Sequence, residues 1–157
     1  MIVPMMFTWW VSAAVVWVVT GILVPGSKIR GLFNAGLVGG FLLTFVLNML
    51  GVPVFHFWRF GPDISPFLGV PLAIPVAWTA EIILYLNYLP QHKLSVVLYT
   101  TAFAVISTIL TYFFVQFGMQ AFINWNLFAT FVLGLISHGL ALGYYYITYP
   151  QSREIFR

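Results

Sequence analysis

Cysteine is missing from all 157 residues, which excludes disulfides, thiolate metal sites and thiol nucleophiles. Charge is scarce as well. Only 6% of residues are Asp, Glu, Lys or Arg, against roughly a quarter in a soluble domain. With 62% hydrophobic residues and a mean hydropathy of +1.01, the chain cannot cover a water-facing surface. It reads as one integral membrane bundle over 1–157, with no separate soluble domain. The net charge of +3 comes without a basic stripe or a run of like charges, so nucleic acid is not an expected partner. No H-E-x-x-H, phosphate loop or nucleophile elbow occurs, there is no internal repeat, and nothing calls for a metal or a cofactor.

Apolar stretches are what the chain has in quantity. About 20 such residues are needed to cross a hydrocarbon core. Five stretches qualify, at about 5–24, 32–52, 70–89, 94–116 and 125–147. Between them lie breaks rich in proline, glycine and charge: Pro25 to Arg30, a longer one from Gly51 to Pro66, the turn Pro90 to Lys93, and Gly118 to Asn124; Pro150 begins the tail. The first stretch carries no Lys or Arg ahead of it and has Lys28 and Arg30 behind it. That favours a retained helix with a translocated N-terminus over a cleaved signal. Lys28, Arg30, Lys93, Arg153 and Arg157 then fall on one side of the membrane and only Arg59 on the other. The positive-inside rule turns this bias into an orientation. The expected fold class is all-α: a polytopic transmembrane helical bundle, five spans, N-terminus out and C-terminus in. Multi-pass insertion in a plasma membrane, of the bacterial inner-membrane kind, is the expected location, with the lipid bilayer as the obligatory partner.

Trp9, Trp10, Trp58 and Trp125 fall near the outer boundaries, and Tyr88, Tyr144, Tyr145, Tyr146 and Tyr149 near the inner ones. Amphipathic rings favour headgroup level, so most are expected to be anchors. Gly36 and Gly40 in the second span, and Gly139 and Gly143 in the fifth, are spaced for close helix approach within the bundle or with another subunit.

The third span, VPLAIPVAWTAEIILYLNYL, holds one charge, Glu81, near its middle. An ionised carboxylate at that depth costs about 3 kcal/mol or more, so it must be protonated, paired or facing a polar cavity. Pro71 and Pro75 precede it. Pro75 has no N–H for the Pro71 carbonyl, and a bend there would open a pocket just outside Glu81. Ala77, Trp78, Glu81 and Tyr85 share one helix face. His138, in the fifth span beside Ser137 and near Gly134, is the second intramembrane ionisable group. If the two helices touch, Glu81 and His138 are candidate acid and base, or a proton relay. The plainer role for each is a hydrogen bond that fixes packing; it weighs evenly for Glu81 and more heavily for His138, because neutral imidazole is the less costly of the two to bury.

The outer break, VPVFHFWRFGPDISPF, brings His56, Trp58, Arg59 and Asp63 together with several Phe. It suits an aromatic flap over the bundle mouth. Arg59 and Asp63 are spaced to pair with each other. His56 and Asp63 fall short of the three or four ligands a metal needs.

The segment GPDISPFLGVPLAIPVAW, 61–78, resembles part of the membrane carotenoid-biosynthesis hydratases. Those enzymes share its Gly-Pro, its Leu-Gly-Val-Pro-Leu and its Ile-Pro-x-Ala-Trp. The resemblance implies a helical enzyme acting on a long polyene, with an acid that protonates a terminal double bond. Glu81, three residues past Trp78, would be that acid, and aromatic rings would stabilise the positive charge. The layout also resembles short five-helix bacterial membrane proteins of unassigned function.

Three functions fit the residues. The first is a small accessory or structural subunit of a membrane complex, or a homodimer, favoured slightly by size and glycine seams. The second is an enzyme that handles an isoprenoid, carotenoid or lipid ligand in a pocket at Pro71, Pro75, Trp78 and Tyr85, with Glu81 as acid. The third is a proton-coupled carrier or sensor using Glu81 and His138.

Overall fold

Proline and glycine decide where the helices begin. The structure, a computed structural model, describes residues 6–149. Arg153, Arg157, the turn at Pro150 and the first residue of the first expected span lie outside the described residues. Five helices form the bundle: α1 (Thr8–Leu23), α2 (Gly26–Val54), α3 (Ala73–Asn87), α4 (Lys93–Gln116) and α5 (Leu127–Thr148). α2, α4 and α5 are long and apolar enough to cross a membrane, whereas α1 and α3 are apolar and shorter. Four short strands accompany them: β1 (Trp58–Phe60), β2 (Pro66–Phe67), β3 (Val70–Pro71) and β4 (Gln120–Phe122).

Two helices, α2 and α3, differ in their bounds from the sequence expectation. α2 starts at Gly26, directly after Pro25, so Lys28 and Arg30 lie in its first two turns and not in a loop. Proline is favourable at a helix start because no N–H is needed there. α2 also runs on through Gly51 and Pro53 to Val54 in wide π-helical turns. Those turns move the bonds past the proline: Phe55 N–H reaches the Leu50 carbonyl at 2.9 Å and Phe57 N–H the Gly51 carbonyl at 2.7 Å. The second difference concerns the start of α3. Val70–Pro71 is a strand paired antiparallel with Pro66–Phe67 through a tight turn, in which Leu68 and Gly69 both have positive φ (49° and 81°). Pro71 is therefore outside the helix, and Pro75 sits in its first turn, where the missing N–H has no interior bond to break. The expected bend inside this span is absent.

α3 is the buried centre. It packs on α1 on one side and on α2 on another, while α4 pairs with α5. Ala80, Ile82, Ile83 and Tyr85 of α3 are fully buried. The Gly36–Gly40 seam works inside the bundle: a Cβ at Gly40 would lie 2.6 Å from the Thr79 Cα, and one at Gly36 would lie 2.7 Å from Ile83. Gly139 and Gly143 instead face open space. One apolar core, with Val24, Leu32, Ile83 and Leu86, fills the end where α1 turns into α2. A second, around Trp9, Ala73, Ile74 and Met119, lies toward the strands.

Candidate functional site

α3 and α5 each carry one ionisable group to the same point. Glu81 Oε1 lies 3.5 Å from His138 Nε2. That is ion-pair distance and longer than a good hydrogen bond, so Nε2 has electrostatic contact with the carboxyl but no hydrogen-bond partner. The other ring nitrogen settles the tautomer. His138 Nδ1 lies 2.8 Å from the Gly134 carbonyl, one turn back on α5. A carbonyl only accepts, so the proton is on Nδ1. In neutral imidazole, Nε2 then presents a lone pair to Glu81. That leaves a buried acceptor facing the carboxyl across 3.5 Å.

Ser107 of α4 completes the group by donating its hydroxyl to Glu81 Oε1 at 2.9 Å. Nothing in the sequence singled Ser107 out. It is one of several hydroxyls on α4, and only the packing of α4 beside α3 selects it. His138 is fully buried and its ring lies 5.6 Å from Trp78, 5.1 Å from Tyr85 and 5.8 Å from Phe103. Tyr85 is fixed in turn by its hydroxyl contact with Thr100 at 2.7 Å. Glu81 keeps 22% of its side chain accessible, so it is reachable where His138 is not.

A cavity of about 130 Å³ lies beside this pair. Every helix contributes to its wall, and β1 and β4 add Trp58, Phe60 and Gln120. Three wall residues touch the pair directly: Ser107 bonds Glu81, the Gly134 carbonyl holds His138, and Trp78 packs on the His138 ring. The pocket just outside Glu81 therefore exists, but a helix bend does not make it. Pro71 and Pro75 are buried and do not line it, and neither does Tyr85.

Three of the four tryptophans expected as headgroup anchors, Trp9, Trp58 and Trp125, point inward, whereas Trp10 bonds Ser65. Trp9, Trp58, Trp78 and Trp125, four of the six in the chain, line this one cavity. Trp58 is held from two sides. Its indole N–H donates to Asn48 Oδ1 at 3.2 Å, and Gly51 makes room for its ring, since a Cβ there would lie 2.4 Å away. It meets the Trp125 ring at 5.1 Å and 67°. β1 places it, pairing antiparallel with β4 so that Trp58 faces Phe122 and Phe60 faces Gln120. Strand alternation sends Trp58 inward and Arg59 outward. The flap expected of this loop is thus one strand of a two-stranded ribbon, whose other strand comes from the break between α4 and α5.

The remaining loop residues do not converge on the site. Arg59 is exposed and forms no ion pair with Asp63. Asp63 folds onto its own turn, where Oδ1 accepts from the Ser65 N–H at 2.7 Å and the Ser65 hydroxyl at 3.1 Å. Such local bonds outcompete a partner four residues back. Trp10 donates to the same Ser65 hydroxyl at 2.9 Å. His56 is exposed, with Nδ1 3.0 Å from the Val52 carbonyl. Among the described residues no three His, Asp or Glu side chains gather as metal ligands. No protein-family model matches this chain, and neither the curated proteins nor the solved structures contain a match to it.

Proposed function

We propose that this chain is a five-span membrane protein that takes the end of an apolar ligand into its central cavity and exchanges a proton with it through Glu81. The observation that carries this reading is the wall shared between cavity and pair: Trp78, Ser107 and Gly134 line the first and touch the second. Ser107 is the wall group that meets the ligand, and Glu81, bonded behind its hydroxyl, is the acid or base that the exchange runs to. His138 is its internal proton partner, held in one tautomer by Gly134. An isoprenoid or other lipid end is the ligand class that the hydratase-like segment at 61–78 suggests. A wall rich in aromatic rings suits it.

The orientation that goes with this reading is N-terminus out and C-terminus in, in a plasma membrane of the bacterial inner-membrane kind. Its support is the segregation of Lys28, Arg30, Lys93, Arg153 and Arg157 from Arg59. α1 and α3, of 16 and 15 residues, are short for a crossing. The buried strand Val70–Pro71 lengthens the apolar column of α3. The cavity would then open toward the outer face.

The test is purification from native membranes in mild detergent, followed by solvent extraction and mass spectrometry. Wild-type protein should retain a defined apolar compound, and Glu81→Gln should retain it in a different chemical or protonation-dependent form, or lose it. A chain that carries no such compound, but co-purifies with a stoichiometric membrane partner, would instead be an accessory subunit. The open Gly139–Gly143 face of α5 is the feature that favours that second reading.

A further inference from the structure

The chemistry of the cavity wall also fits a ligand class other than an apolar end, on the sole condition that the cavity is a ligand site as proposed above. Six aromatic side chains form much of the wall, four of them indoles, the strongest cation–π partners among the side chains. No wall residue carries a charge. The nearest formal charge available to a guest is the carboxyl of Glu81, one hydroxyl away behind Ser107. Aromatic faces with a carboxylate behind them recognise weakly hydrated alkylated ammonium groups, which give up little hydration on entering. The volume, about 130 Å³, is close to the roughly 150 Å³ of a void that accepts one benzene ring. It suits a head group of a few heavy atoms.

We propose that this cavity binds an organic monocation with an alkylated ammonium head, in exchange for one proton given up by the Glu81–His138 pair. The charge balance requires the exchange. With one proton on the pair the site would be neutral, and a cation added beside it in a low-dielectric site would be uncompensated. Loss of the proton leaves Glu81 anionic and His138 neutral, and the site with its guest returns to zero net charge. No other group competes for this role. The ionisable group that faces Glu81 is His138 from α5, and α4 brings the hydroxyl of Ser107. α1 has no ionisable side chain, and the charges of α2, Lys28 and Arg30, lie in its first two turns. Tyr85, on α3 itself, faces His138.

The experiment compares choline with its uncharged carbon isostere, dimethylbutanol, on the full chain in a maltoside micelle free of choline lipids. Tryptophan fluorescence and calorimetry read binding, and an indicator dye in weak buffer reads proton release. Choline should bind at least about tenfold tighter than the isostere, the margin expected of a desolvated cation–π site. It should release close to one proton per molecule bound, and bind more tightly as pH rises. Glu81→Gln should lose the preference and the proton release while still binding the isostere. Equal affinities, or choline binding without proton release, would overturn this inference and leave the ligand cavity standing. If neither compound binds, this inference falls, while the apolar-ligand reading is decided by its own extraction experiment.

Discussion

Where α1 turns into α2 the interior of the bundle is filled; where β1 meets β4 it is hollow. At the filled end, Ile82, Ile83 and Tyr85 are fully buried and tyrosine hydroxyls tie helix to helix. Tyr88 donates to the Leu23 carbonyl at 2.7 Å and Tyr149 to the Gly31 carbonyl at 2.9 Å. At the hollow end the polar bonds fix the orientation of rings. Trp58 is tied to Asn48, and Trp125 donates to the Thr130 hydroxyl at 2.9 Å, so that both indoles stand in the wall of a void. The same bundle uses aromatic residues to close helix ends at one end and to frame a cavity at the other. Glu81 and His138 lie between the two. Stability should therefore be concentrated at the filled end and binding at the hollow end.

The sharpest way to break that comparison is to truncate one ring at each end. Tyr85→Ala removes a fully buried ring that stacks on Tyr99 at 5.4 Å and edges His138. It should cost about 4 kcal/mol, in the range for losing a buried aromatic side chain. Trp58→Ala removes a ring that already borders a void, and should cost about half as much or less. Reversible unfolding in mixed micelles, followed by circular dichroism, measures both. Equal losses would mean that the hollow end is as tightly packed as the filled one.

The sequence made some of this legible, and the reasons for success and failure are physical. Hydropathy found all five helices because an apolar run in a nearly charge-free chain has few other uses. The boundaries of α4 and α5 came within two residues, since the breaks Pro90 to Lys93 and Gly118 to Asn124 mark them locally. Glu81 and His138 stood out because ionisable residues in apolar runs are rare. Their meeting at 3.5 Å did not, because it depends on how α3 packs against α5, 57 residues away. The role of Pro75 was misread for a similar reason. A proline breaks a helix only if the helix has already begun, and the β2–β3 hairpin delays that start to Ala73. Trp9, Trp58 and Trp125 resembled interface anchors because composition cannot say which side of a helix or strand faces the core.

Next in expected size is a pair of glycine substitutions. Gly40→Val would place atoms 2.6 Å from the Thr79 backbone, which cannot rotate away, and should cost about 2–3 kcal/mol. Gly143→Val meets nothing within 4 Å and should be close to neutral. Thermal unfolding of the two variants in one detergent gives the contrast. If Gly143→Val is also destabilising, or changes the oligomeric state in native mass spectrometry, that face of α5 is covered by a second subunit.

The boundary between the two ends is tested at the ion pair. His138→Ala leaves Glu81 with Ser107 alone and should cost about 2 kcal/mol, less than for a fully buried pair because the carboxyl keeps 22% of its surface accessible. Adding Glu81→Gln should recover part of that loss, since an amide does not demand a proton partner. A double-mutant cycle on unfolding free energies reads the coupling. Strictly additive losses would show that the two groups do not share a proton.

The smallest effects belong to the tyrosine latches, and they sharpen the comparison from the filled side. Tyr149→Phe keeps the ring and its packing on Tyr145 at 5.1 Å but removes the bond to the Gly31 carbonyl. Polar bonds between membrane helices average about 0.6 kcal/mol, and a similar loss is expected here. The same latch should also show in the pH dependence. Burial, with the neighbouring Tyr144 and Tyr145, raises the Tyr149 phenol above its ordinary value of 10.0. The folded state then holds that proton more tightly than the unfolded state does, so stability is retained below pH 10 and falls as pH climbs through the raised value. Tyr149→Phe should flatten that alkaline decline while leaving choline binding unchanged. A latch variant that altered binding would mean that the filled end is coupled to the cavity through the α5 backbone, and that the two ends do not act separately.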